Sequence, residues 1–257
     1  MHLRYLTAAV LFFCVLANGV EAQEQSPEML TYITEDYRPY SYREDGQLKG
    51  LAVDLLRLMW QRMGMDEQKI EMYPWARGYQ LVQRTPNTVL FAMSRTAQRE
   101  KLFKWVCPIN TNRHVLIKMA DNPVRIGASG AIKKIRVGVV RADASGDLLI
   151  RQFGDRVVVE AVASFEQNVK KLALGRIDMF AYGENTAWSV IAAMGLPTNH
   201  FVVAYVLSEE KACYAFHRDT PDPLIAQFQQ ALDNVVSSPV YLKLMETYFL
   251  NPLPNHQ

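Results

Sequence analysis

The stretch Asn87–Phe103, NTVLFAMSRTAQREKLF, sets an apolar run against a Ser-Arg-Thr triplet and a second arginine, Arg99. Val89–Met93 has the length and composition of a buried strand, and the change to polar residues at Ser94 marks its carboxyl end. In an open parallel α/β sheet, that end is where ligands bind. Thr96 is placed as the N-cap of a short helix over TAQREKLF, whose free N–H groups and dipole would favour an anion. Arg99, in the first turn of that helix, would add a planar fork for a carboxylate. The same arginine also reads as a solvated residue near Glu100 and Glu71, since arginines are mostly on surfaces.

Outward from this stretch, strand and helix signals alternate. MLTYITE reads as a strand, REDGQ as a turn, GLAVDLLRLMWQRMG as an amphipathic helix ended by Gly64, QKIEMYP as a strand and WARGYQLVQR as a helix. KWVCPINTNRHVLIKMA reads as two extended pieces. The alternation then resumes with KIRVGVV, SGDLLIRQFG, RVVVEAV, a helix from Ser164 as N-cap to Gly175, IDMFAY and ENTAWSVIAAMG. FVVAYVL and KACYAFHR follow as two strands, and DPLIAQFQQALDNVVS and PVYLKLMETYF close the chain as helices. Such alternation predicts an α/β fold with parallel sheets. Two similar modules joined by extended connections predict two lobes with a ligand cleft between them.

With 257 residues, 49% hydrophobic and 21% charged, the chain has ample material for a core, and a net charge of +2 without basic runs gives no nucleic-acid footprint. At the N-terminus, Arg4 precedes the apolar run Leu6–Ala17, and Val20 and Ala22 stand where a signal peptidase needs small residues before Gln23. Residues 1–22 therefore read as a secretory signal peptide, cleaved near Ala22, that delivers a soluble chain to the periplasm. In that oxidising compartment Cys107 and Cys213 either pair or remain buried free thiols.

Walker A, G-x-S-x-G, H-E-x-x-H and G-x-G-x-x-G motifs are missing. GASG at Gly127–Gly130 reads as a turn. His114, His200 and His217 have no partner assignable from spacing, and each reads as a surface or strand-end residue. Two aromatic groups follow strands, Tyr37, Tyr40 and Tyr42 in EDYRPYSY and Tyr73, Trp75 and Tyr79 in YPWARGY. Some would wall a pocket and the rest would pack the core.

The ordered set Tyr37-x-Pro-Tyr-Ser-Tyr, GLAVDLL, Pro74-Trp75, Ser94-x-Thr96-x-x-Arg99, Phe103-x-Trp105, Pro108, VGV and Leu172-x-x-Gly-Arg-Ile-Asp resembles the extracytoplasmic solute-binding proteins of the polar amino-acid type, bacterial family 3. The resemblance runs over residues 28–250. It implies a periplasmic-binding-protein type II fold, with 23–115 and 217–257 as lobe 1 and 116–216 as lobe 2. It further implies a monomeric, non-enzymatic protein, without metal or cofactor, that closes on a small carboxylate-bearing solute and delivers it to a membrane ABC permease. A membrane sensor is the alternative partner, and a cyclohexadienyl dehydratase on the same fold is the alternative activity.

Carried over by residue, Thr96 and Arg99 would hold the carboxylate with Ser94 beside them, and Tyr37 and Trp75 would stack on the ligand. Arg77 is an added specificity candidate. Two departures stand out. RADAS alters the cradle of the second lobe around Asp143 and Ser145. Gly183 replaces the aspartate that commonly takes the ligand's amino group, which leaves the adjacent Glu184 as a substitute or merely as a helix N-terminal acid. Asp178 reads as structural.

Overall fold

Two runs of alternating strand and helix build the molecule, and two long strands tie them together. The computed structural model describes residues 27–127 and 132–250. The signal-peptide segment 1–22 lies outside the described residues, as does most of the turn expected at Gly127–Gly130.

The first run is β1 (Thr31–Thr34), the hairpin β2 (Tyr42–Glu44) and β3 (Gln47–Lys49), α1 (Leu51–Arg62), β4 (Ile70–Met72), α2 (Trp75–Arg84) and β5 (Thr88–Arg95). After β6 (Phe103–Met119), the second run is β7 (Ile135–Val140), α3 (Ala144–Phe153), β8 (Val157–Val162), α4 (Phe165–Ala173), β9 (Met179–Gly183) and α5 (Glu184–Ala193). β10 (Phe201–His217) leads back to α6 (Asp222–Val236) and α7 (Pro239–Met245). The sheet order is β4-β1-β5-β10-β6-β9-β7-β8. β1, β4 and β5 are parallel neighbours, as are β7, β8 and β9.

α1 buries Leu51, Ala52, Leu55, Leu56 and Met59 on one stripe, the spacing that presents a single helix face to a core. α6 covers it with Leu224, Phe228, Ala231, Leu232 and Val235, so the chain's last part packs on its first. Tyr32 sits edge-on to Trp60 at 4.8 Å inside this layer. Gly50, at φ +127°, starts α1 where a Cβ would lie 2.3 Å from the Tyr40 carbonyl, so only glycine lets the tyrosine segment lie against the helix.

The pairs of extended pieces are single strands: β6 and β10 each run 17 residues. The polar segments that looked like breaks pair with one another, Arg113 opposite Glu209 and Thr111 opposite Lys211. One end of β10, Lys211–Phe216, pairs with β5, while His114–Ile117 of β6 pairs with β9. Both strands therefore pass from one half of the sheet to the other, and residues 115/116 and 216/217 lie within these connecting strands. Cys107 on β6 and Cys213 on β10 are joined by a disulfide, with Cα atoms 4.7 Å apart.

The helix expected over TAQREKLF is also absent. Residues 96–102 form two consecutive turns, with Arg99 N donating to Thr96 O (3.0 Å) and Leu102 N to Arg99 O (2.9 Å). The connection is too short for a helix that must also deliver Phe103 to β6, so Thr96 caps nothing. At the second expected N-cap, Ser164, the side chain makes no cap bond, and Gln167 Oε1 instead accepts from Ala163 N at 3.1 Å.

Candidate functional site

The carboxyl ends of β1, β5 and β7 open on a common region between the two halves of the sheet. Arg99, brought there by the β5–β6 turns, is only 2% exposed. Its guanidinium packs against the rings of Tyr79 (5.1 Å) and Trp75 (5.4 Å), which adjoin each other at 5.8 Å. Nη1 donates to Ser94 O (3.3 Å) and Nη2 to Ala142 O (2.9 Å), while Nε has no partner. Among the described residues no carboxylate is within ion-pair distance of it. A buried guanidinium whose partners are only carbonyls and rings is open to pairing with an anion.

Ala142 belongs to the β7–α3 connection and holds φ at +64°. Its carbonyl also accepts from Trp75 Nε1 at 2.8 Å. Two donors from the first half thus converge on one acceptor of the second. Asp143 caps α3 by accepting from Ser145 N at 2.9 Å, which fixes the loop that presents this carbonyl.

Ser94 and Ser145 are brought together by a residue the sequence reading set aside. His114, 1% exposed on β6, lies 2.8 Å from Ser94 Oγ through Nε2 and 2.8 Å from Ser145 Oγ through Nδ1. It is neither a surface nor a strand-end histidine. The overlooked signal is the alternation Asn110-x-Asn112-x-His114: these three are buried while Thr111 and Arg113 are exposed, which puts a polar row on the inner face of a strand.

Tyr37 stacks on Tyr40 (5.3 Å) and meets Tyr182 edge-on (5.6 Å), and Tyr182 in turn stacks on Phe165 (4.3 Å). The Tyr37 hydroxyl accepts from Asn112 Nδ2 at 3.0 Å. It fills the space beside Gly183, where a Cβ would lie 2.3 Å from it. A side chain at 183 is therefore excluded while Tyr37 stays in place.

Glu184 has a partner within the protein. Its Oε2 pairs with Arg113 Nε at 3.3 Å, on the outward side of β6, because the first turn of α5 aims it along the strand's exposed face. Arg77 is exposed, with its guanidinium over the Tyr73 ring at 4.4 Å. Of the eight candidates, Ser94, Thr96, Arg99, Trp75, Tyr37 and Ser145 are buried around the shared region, whereas Glu184 and Arg77 are engaged elsewhere. Asp178 accepts from Arg136 N at 2.7 Å, tying β9 to β7.

Glu35, at the end of β1, was missed as well. Burial pushes its carboxyl well above the usual range, Asp143 and Asp36 push the same way, and Arg99 opposes them. A separate surface recess of about 490 Å³ is lined by Asn122, Leu172 and Asp178. Within it Asn122 Nδ2 donates to Asp178 O at 3.1 Å.

Among the described residues, no helix is long and apolar enough to cross a membrane. The family model for bacterial extracellular solute-binding proteins, family 3, matches residues 30–251. The probable amino-acid-binding protein YxeM of Bacillus subtilis (strain 168) is 21% identical over 244 residues, covering 94% of this chain and 90% of that protein. The arginine-, lysine-, histidine-binding protein ArtJ from Geobacillus stearothermophilus superposes with a TM-score of 0.74 at 18% identity, over 88% of this chain and 97% of its own. A histidine kinase sensor domain with similarity to periplasmic binding proteins gives 0.72 at 19% identity, over 85% and 96%.

Proposed function

This chain belongs to the bacterial extracellular solute-binding proteins, family 3, with their two-lobed type II fold, and on that footing we propose that it captures a small carboxylate-bearing solute, an amino acid or a related compound, by closing its lobes around Arg99. The observation that carries this reading is the buried Arg99 guanidinium, which has carbonyl and ring partners but no carboxylate. A solute carboxylate would take the place of Ala142 O as its partner, with Ser94 and Thr96 at the end of β5 and Ser145 across the cleft as further contacts. Binding would draw on charge-assisted hydrogen bonds and favour the closed state by its contacts to both lobes.

No side chain at 183 is available for a solute ammonium, so Glu35 and Asp143 take that part. Two carboxyls beside the cleft suit a solute with a cationic group, the class for which ArtJ is named. Tyr37 and Trp75 would wall the solute. The chain acts after export to the periplasm and cleavage near Ala22, as a monomer that hands its solute to an ABC permease. The likeness to a kinase sensor domain favours a second partner, a membrane sensor that reads the closed lobes.

A thermal-shift screen with amino acids and organic acids tests the reading. A binder at one hundred times its Kd should stabilise the protein by about 2.7 kcal/mol, and Arg99→Ala should remove most of the shift. Retention of the full shift by that variant would mean that the carboxylate is held elsewhere.

A further inference from the structure

His114 touches both halves of the molecule with one ring. Ser94, at Nε2, ends β5, and Ser145, at Nδ1, opens α3. A neutral imidazole has one N–H and one lone pair. One serine must therefore accept a hydrogen bond from the ring, which leaves its own proton to offer elsewhere. The other must donate to the ring, which leaves only its lone pairs.

We infer that His114 is a positioning residue that holds the two cleft serines in opposite hydrogen-bonding roles, one left as a donor and one as an acceptor toward a bound solute. The inference rests on the reading that both serines face the solute, but the ring proton that sets the roles is observable without one.

The charged groups facing the ring are Asp143 from the start of α3 and Arg99 from the β5–β6 turns. Its ladder neighbours, Ser208 on β10 and Gly183 on β9, do not titrate. Burial keeps the imidazole below its ordinary range, Asp143 works against that, and Arg99 adds to it. The ring is therefore neutral above about pH 6.5. Protonation, reached only on further acidification, would make it a donor to both serines and erase the difference between them.

Long-range 1H–15N correlation spectra of the unliganded, 15N-histidine-labelled protein test this. The expected result is a single tautomer for His114 at pH 7.5, with Ser94→Ala moving chiefly the Nε2 shift and Ser145→Ala chiefly the Nδ1 shift. Titration of the ring should begin only below the ordinary histidine range. Tautomer-averaged shifts, or an indistinguishable response to the two serine substitutions, would overturn the inference. Both substitutions remove one hydroxyl only, so the fold should survive them. Loss of solute binding in the screen above, with the tautomer signature intact, would count against the solute reading and leave the positioning role standing.

Discussion

Gly183 of β9 and Tyr37, which follows β1, meet so closely that a Cβ on the glycine would lie 2.3 Å from the tyrosine hydroxyl. The glycine's backbone, at φ −63° and ψ 126°, is open to any residue, so the constraint is contact alone. Gly183→Ala should prevent full closure and lower stability by about 1–3 kcal/mol, the usual scale for overpacking. Tyr37→Phe in the same chain should recover part of the loss, though Asn112 Nδ2, at 2.8 Å from that Cβ, limits the recovery. Small-angle scattering and thermal melts of the single and double variants check both statements.

Arg99 supplies one fork to two carbonyls, Ser94 O and Ala142 O. Arg99→Lys keeps the charge but has no planar pair of N–H groups. For a solute selected in the thermal-shift screen, Arg99→Ala should cost about 2–5 kcal/mol, roughly 30-fold to several thousand-fold in Kd. Arg99→Lys should cost less, and titration calorimetry of the three proteins would read the order.

The regular elements were legible because their signals are local. The stripe of α1 and the apolar runs of β5 and β7 need no distant partner to be recognised. What was misread depends on contacts far along the chain. Asn110–His114 looks like a break because it is polar, yet it is a strand interior that faces Tyr37, Ser94 and Ser145. Arg99 was singled out at the end of the β5 run with Ser94 and Thr96 and is buried there, although the helix invoked to explain it does not form. The ion pair of Glu184 with Arg113 was not legible, because sequence order does not reveal that Arg113 lies beside it.

The Cys107–Cys213 disulfide closes a loop with a sequence separation of 106, joining β6 to β10 near where both strands cross between the halves of the sheet. By chain entropy alone, a loop of that length is worth about 4.7 kcal/mol, and removal of native disulfides typically costs 2–5. The Cys107→Ala/Cys213→Ala variant should therefore melt about 5–20 °C lower than the oxidised protein. Reduced wild type should melt close to the variant, and calorimetry with and without reductant would show the pairing. Equal melting temperatures with and without reductant would mean the bond contributes nothing to stability.

Glu35 gives a prediction whose sign depends on pH. Burial, then Asp143 and Asp36, raise its folded pKa above the ordinary carboxyl value. A raised pKa means that the folded state prefers the protonated carboxyl. The stability this lends is complete below the ordinary value near 4.3 and is lost as pH rises through the folded pKa. Glu35→Gln stays neutral throughout, so without solute the variant should be the more stable protein at pH 7.5, by roughly 1 kcal/mol or about 2–4 °C. That advantage should shrink to nothing as pH approaches 4. A cationic solute reverses the order, because it satisfies the carboxylate that was costly in its absence. The variant should then gain stability when unliganded and lose affinity when a basic amino acid is added. Melting curves across pH, with and without a basic amino acid, read both signs in one experiment. A variant less stable than wild type at pH 7.5 in the absence of solute would show that the Glu35 carboxylate is already compensated within the protein.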